Sequence, residues 1–336
     1  MSPENVSNKV TRWDSEGGND DVAYNDIHAY INFRAKESYN EYHPSIGPYP
    51  AFEERLLSWL NSTDNEQYQK VMFQFIPHIF YIGSDEFVSL YISAMQEHII
   101  PWIIDNEGID IRSQNLNQKI QKALKKIWFC PITDSMHVAD FFHINNITGN
   151  GNFRPDWFSL CRFGNHEMIY DFMKEKGLEY LVLMEDFVGT GSQILGKGSS
   201  DIKHIEDGVI GFVGQLFDKT KTMILPLICC PKGGERLADL SKKYTNITCS
   251  PIITIPPNMT VNSDTHSNAD SPDILRTLCS ILTDMQPSYD WNDGPFGFLE
   301  TGSLIVMYSN CPNNTLPFIY QRRKNWEPLF PRSSRL

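Results

Sequence analysis

Apolar residues recur at three- and four-residue spacing from Ala51 to Leu60 and from Gln67 to Phe80, which predicts two amphipathic helices. Ser84-Asp85-Glu86 supplies cap chemistry for another helix, from Phe87 to Ile100. Pro48, Pro50, Pro77 and Pro101 mark breaks or kinks. Residues 1–20 are polar and are expected to be a disordered tail. Residues 21–120 then read as a helical N-terminal region.

The pattern changes near Lys126. Ile127 to Pro131 is a short apolar run of the kind a buried strand needs. Thr133-Asp134-Ser135 reads as a turn and helix cap, and Met136 to Ile144 as a short helix. Asn145 to Arg154, rich in Asn and Gly, reads as a loop. A helix from His166 to Lys176 stops at Gly177. Tyr180 to Met184 is the next strand, and Gly208 to Phe217 a mixed, helical segment. Strand, helix and strand follow at Thr222–Cys230, Gly233–Tyr244 and Ile247–Ile255. This alternation predicts an α/β domain over residues 121–336, with a parallel sheet flanked by helices. Asn258 to Pro272 is polar and reads as flexible, Asp273 to Leu282 as a helix, and Leu304 to Tyr308 as a last strand.

The strand at Tyr180 carries the candidate chemistry. Its run is Tyr180-Leu-Val-Leu-Met-Glu-Asp-Phe-Val-Gly-Thr-Gly-Ser-Gln193. Apolar residues lead into Glu185 and Asp186, and a small-residue turn follows. Such a turn at a strand's carboxyl end can converge backbone N–H groups on an anion. A carboxylate pair beside it can hold sugar hydroxyls, so the combination points to a ribose-5-phosphate site. A P-loop needs Ser or Thr where Gly198 stands, and a dinucleotide loop needs a third glycine where Ile194 stands.

This run resembles the phosphoribosyl-pyrophosphate (PRPP) signature of type I phosphoribosyltransferases. The resemblance implies that Glu185 and Asp186 contact the ribose hydroxyls. It also implies that Val188, Gly189, Thr190, Gly191, Ser192 and Gln193 wrap the 5′-phosphate. Many members carry an Asp where this chain has Gly189, and many end the turn on Thr where this chain has Gln193. By the same resemblance Thr133, Asp134 and Ser135 correspond to a pyrophosphate loop, which local sequence reads equally well as a helix cap. Asn145–Arg154 corresponds to a mobile hood, with Arg154 or Arg162 beside pyrophosphate, although each reads more simply as a surface salt-bridge partner. Lys232 corresponds to a base-reading lysine, with a helix cap as the competing reading. Mg²⁺ would arrive bound to substrate, and no protein metal site is implied. His137 is a candidate acid or base, and Trp291 and Phe296 are candidates for base stacking, although each reads more simply as structural.

Several segments narrow the resemblance. Thr133-Asp-Ser-Met-His-Val-Ala-Asp140, the signature, Cys311-Pro-Asn-Asn-Thr-Leu-Pro317 and Trp326-Glu-Pro-Leu-Phe-Pro-Arg332 are similar to the bacterial PRTase-CE group. That group occurs in antiviral conflict systems, including some retrons. It implies a toxin effector held inactive by a reverse transcriptase with its multicopy single-stranded DNA. Whether the chain is a pentosyltransferase, a non-catalytic nucleotide sensor or an assembly subunit stays open, as does homo-oligomerisation.

Composition limits these alternatives only coarsely. The chain has 336 residues, 41% hydrophobic and 21% charged, as globular proteins do. A net charge of −12 argues against nonspecific nucleic-acid binding through the overall field. Arg322-Arg323-Lys324, with Arg332 and Arg335, reads as a solvated basic tail. The seven cysteines fit no zinc spacing and read as reduced core thiols. Together with the absence of a secretory signal or a long apolar span, this predicts a cytoplasmic protein free of the membrane.

Overall fold

A computed structural model describes residues 5–16, 22–44, 49–147, 166–195 and 220–333. The first elements are α1 (Val6–Ser15), α2 (Tyr24–Glu37), α3 (Phe52–Leu60), α4 (Glu66–Phe75) and β1 (Phe80–Ile82). A longer helical run follows as α5 (Ser84–Ser93), a π-helical turn (Ala94–Ile99) and α6 (Ile100–Glu107). Pro101 does not end this run. A proline inside a helix forfeits one hydrogen bond, and the widened turn directly before it absorbs that loss. Next come α7 (Leu116–Leu124), β2 (Ile127–Pro131), α8 (Val138–Ile144), α9 (His166–Glu175) and β3 (Tyr180–Val188). The helical turn α10 (Ser192–Leu195), β4 (Lys221–Cys229), α11 (Pro231–Lys243), β5 (Ile247–Cys249) and β6 (Ile253–Thr254) follow. The last elements are α12 (Asp273–Tyr289), β7 (Ile305–Met307) and α13 (Pro317–Tyr320). The expected helix at 208–217, residues 148–154 of the expected hood, and Arg162 lie outside the described residues.

The chain divides into two compact units, one of residues 1–84 with 256–336, the other of residues 85–255. The discontinuous unit packs α1–α4 and α12 around a parallel β1–β7 pair, with Phe80 opposite Ile305 and Ile82 opposite Met307. Polar composition predicts disorder for residues 1–20, yet α1 occupies 6–15. Val6, Val10 and Trp13 recur at helical spacing and are all buried, and Trp13 meets Phe73 edge-on at 5.6 Å. Arg55 ties the two ends of the chain together within this unit. It is 5% exposed and donates to the carbonyls of Tyr39 and Leu329 at 2.8 and 2.9 Å. Tyr42, Phe52 and Phe330 surround its guanidinium.

The contiguous unit is the α/β part. Its sheet is parallel throughout, in the order β2-β3-β4-β5, with β6 also beside β4. All nine residues of β3 are buried. That fits a strand covered on both faces and explains the unbroken apolar run from Tyr180 to Met184. Pro226 sits inside β4, where its carbonyl accepts from Ile252 N–H at 3.0 Å. A residue of a parallel strand turns both backbone groups to one neighbour. The missing donor therefore faces the irregular stretch between β5 and β6 and leaves the β3 side intact. The single strand expected over Ile247–Ile255 is interrupted at that place.

Candidate functional site

β3 runs further than its apolar residues predict, and Glu185 and Asp186 lie within it. β2 pairs with β3 only as far as Pro131 opposite Met184, and Ile132 N–H adds one bond to the Met184 carbonyl at 2.8 Å. Beyond that point β2 turns across the uncovered edge of β3. The result is a direct contact between two segments that sequence alone treats separately. Thr133 donates its N–H to Glu185 Oε2 at 3.0 Å and its hydroxyl to Oε1 and Oε2 at 2.9 and 3.0 Å. Ser135 Oγ donates to Asp186 Oδ1 at 3.0 Å, and the Thr133 and Ser135 hydroxyls lie 2.7 Å apart. Asp186 Oδ1 also accepts from Phe187 N–H at 2.8 Å. Glu185 and Asp186 are 2% and 3% exposed.

The small-residue turn follows at once. Gly191 takes φ +72°, a left-handed conformation for which glycine carries no steric cost. Thr190 Oγ1 lies 2.9 Å from Ser192 Oγ and accepts from Ser192 N–H at 3.3 Å. The start of α11 is fastened beneath this turn. Cys230 N–H bonds the Val188 carbonyl at 2.8 Å, and Gly233 N–H bonds the Gly189 carbonyl at 3.0 Å. The approach is close enough to require glycine at 233. A Cβ there would stand 2.7 Å from Val188 Cγ1 and 2.8 Å from the Gly189 oxygen.

Arg236 is a participant the sequence reading missed. Its Nη1 donates to the Thr190 carbonyl at 2.7 Å and lies 3.5 Å from Ser192 Oγ. The available signal was its spacing. Lys232 and Arg236 are four apart on a predicted helix and so share a face. Lys232 is exposed in the first turn of α11, after Pro231 at the N-terminal position that suits proline. Gln193 falls within α10, and Asp134 within a 3₁₀ turn from Asp134 to Met136.

The remaining candidates go elsewhere. Trp291 and Phe296 are buried in the discontinuous unit, and Trp291 stacks on Tyr289 at 5.5 Å. His137 is exposed, with φ +46°, ahead of α8. The six described cysteines are free thiols, five of them buried. Burial pushes the thiols of Cys229 and Cys311 up to about 12 and so keeps them unreactive. Among the described residues no group of three or more His, Cys, Asp and Glu side chains could hold a metal ion. No helix among them is long and apolar enough to cross a membrane.

No curated protein and no solved structure matches the chain. A family model described as PRTase-CE matches residues 56–332, which include β2, β3, the turn and α11. With that match over most of its length, the chain belongs to the PRTase-CE family and is a phosphoribosyltransferase-like α/β protein.

Proposed function

We propose that the end of β3 and its turn bind a phosphorylated ribose, as PRPP or a ribonucleotide. The observation that carries this reading is the junction of Glu185 and Asp186, the Thr190–Gln193 turn and the Thr133–Ser135 turn at the carboxyl end of a parallel sheet. Ligands of open α/β sheets bind at such strand ends. Glu185 and Asp186 would take the ribose hydroxyls, and Val188 to Gln193 the 5′-phosphate. Arg236, fixed to the Thr190 carbonyl, would hold the turn in shape. Thr133, Asp134 and Ser135 are the candidates for pyrophosphate. Lys232 stands in the first turn of α11, where the helix dipole disfavours a cation. That placement suits a lysine kept for a base oxygen.

The donors at this junction are carboxylate, hydroxyl and carbonyl oxygens, a set that suits Mg²⁺ carried by substrate. Mg²⁺ would neutralise charge on departing pyrophosphate. The protein's own contribution would be to fix ribose, phosphate and leaving group relative to one another. This would make the chain a pentosyltransferase.

The defence role follows from the resemblance: a retron-type toxin effector, held by a reverse transcriptase with its single-stranded DNA. Given the net charge of −12, a DNA contact would be local or carried by the partner protein. A reverse-transcriptase gene beside this one would support that context, and its consistent absence among relatives would remove it.

The binding reading is tested by calorimetry with PRPP on a doubly substituted protein, Asp186→Asn with Thr190→Ala. Binding should be lost, and unchanged affinity would sink the assignment. A second reading, a non-catalytic sensor, is favoured by Gly189, which leaves no acid at the position where many type I enzymes carry one. Binding of PRPP without product formation from any base would favour the sensor, and steady turnover would exclude it.

A further inference from the structure

The acid pair expected to hold ribose is almost wholly buried, at 2% and 3% exposure. What occupies it is chemically specific. Two hydroxyls, from Thr133 and Ser135, lie 2.7 Å apart and donate to Glu185 and Asp186 respectively. A ribose 2′,3′-diol presents the same groups, two hydroxyls within hydrogen-bond distance of each other. Neighbouring strand residues turn their side chains to opposite sides. One hydroxyl pair nevertheless reaches both acids, because it crosses the edge of β3 beyond the end of β2. The observed contact therefore has the spacing of hydroxyls that a diol would bring.

We infer that the Thr133–Ser135 turn is an internal stand-in for the sugar diol, an autoinhibitory contact that ligand must displace. The inference rests on reading the acid pair as a ribose site. Binding is then an exchange of like for like. Two protein hydroxyls leave the carboxylates and two sugar hydroxyls replace them, so the hydroxyl donors to the buried acids are conserved while the Thr133 N–H is given up. Losing hydroxyl donors from a buried carboxylate is costly, and the exchange avoids that loss. The displaced hydroxyls are freed for the pyrophosphate of a larger ligand. A ligand with a diol and no phosphate competes with the turn unaided, whereas a phosphorylated ribose gains the Thr190–Gln193 contacts in addition. The device thus discriminates against free nucleosides and sugars.

The test uses the full chain and ribose 5-phosphate, which has the diol and the phosphate but no pyrophosphate. Calorimetry compares the unmodified protein, a Thr133→Ala/Ser135→Ala variant and the Asp186→Asn/Thr190→Ala variant. If the turn holds the acids about nine-tenths of the time, removing its hydroxyls tightens binding about tenfold, because apparent affinity scales with the competent fraction. Equal or weaker binding by the Thr133→Ala/Ser135→Ala variant overturns the inference. If binding is still lost in the Asp186→Asn/Thr190→Ala variant, the ribose-site reading survives that failure. If that variant binds normally, the site reading itself fails, and the inference with it.

A second measurement requires no substitution. The Thr133 amide donates to Glu185 Oε2, so saturating ribose 5-phosphate should speed its hydrogen exchange about tenfold. Exchange that is unchanged or slowed overturns the inference even where the Thr133→Ala/Ser135→Ala variant does not fold.

Discussion

Arg236 Nη1 donates to the carbonyl oxygen of Thr190 at 2.7 Å, across 46 residues of chain. A cation on α11 is thereby tied to the main chain of the turn that follows β3. The Arg236→Ala variant should lose about fivefold to tenfold in affinity for ribose 5-phosphate, because a hydrogen bond from a charged group is worth roughly 1–2 kcal/mol when half-buried. Arg236→Lys should restore part of it. Calorimetry beside thermal unfolding separates a loosened turn from a general loss of stability. Equal affinity in all three proteins would remove Arg236 from the site.

Two adjacent glycines in α11 should respond oppositely to alanine. At Gly233 the new Cβ would meet Val188 Cγ1 and the Gly189 carbonyl oxygen, at 2.7 and 2.8 Å, and the backbone cannot yield cheaply. A loss of about 2–3 kcal/mol is expected. At Gly234 the nearest atom is Cys229 Sγ at 3.8 Å, an ordinary contact. There the gain in helix propensity should stabilise by about 0.5–1 kcal/mol. Denaturant midpoints of the two variants should fall on opposite sides of the unmodified protein.

The amino-terminal end of the α/β sheet carries a pH-dependent clasp. Tyr180 OH donates to Glu107 Oε1 at 2.7 Å, and Lys126 Nζ bridges Glu107 and Glu179 at 2.9 and 3.1 Å. The Tyr180 hydroxyl, followed by Lys126, holds the Glu107 carboxyl below its ordinary value of 4.5. A depressed carboxylate contributes stability above its unfolded value, and that contribution is lost as pH falls through the folded value. Stability should therefore drop as pH is lowered from about 4.5. Tyr180→Phe should flatten that acid limb. Urea midpoints across the acid range provide the measurement, and parallel curves for the two proteins would contradict it.

Arg55→Lys should destabilise the discontinuous unit despite conserving charge. A single ammonium cannot reach the carbonyls of Pro50, Tyr39 and Leu329 together, nor lie flat among Tyr42, Phe52 and Phe330. A loss of about 2–4 kcal/mol is expected, since buried carbonyls and a buried cation lose partners. Tryptophan fluorescence is a suitable probe, because Trp13, Trp59, Trp291 and Trp326 are all buried in this unit.

Legibility in the sequence followed how local the cause of each feature is. β2 was legible to the residue because a strand buried on both faces needs an uninterrupted apolar run, and Ile127–Pro131 supplies one. The small-residue turn stands out because its residue types are unusual together, whereas Glu185 and Asp186, which the apolar pattern puts after the strand, lie inside β3. β1 was not legible. Phe80, Tyr81 and Ile82 continue the apolar spacing of the preceding helix, and they become a strand only through pairing with Ile305–Met307, far along the chain. α1 reads as tail in the sequence because its apolar stripe is sparse, and the partner that stabilises it, Phe73, is distant. Arg236 bonds a carbonyl, a group every residue carries, so no pattern marks its target. The Thr133–Ser135 turn was identifiable as a turn, but its carboxylate partners were fixed by where β2 ends against β3.

The interrupted path of the chain has a consequence for synthesis. Residues 85–255 leave the ribosome as one uninterrupted unit, whereas the partner strand of β1 and the Leu329 carbonyl that clasps Arg55 emerge only after it. Domains generally fold as units during synthesis. The α/β part, with its buried acid pair, is thus complete in sequence while the first 84 residues still lack the segment that packs against them. During that interval Trp59 and Phe52 stand without Phe318 and Phe330, an apolar surface that a nascent-chain chaperone or a co-translated partner would meet before the native core closes over it.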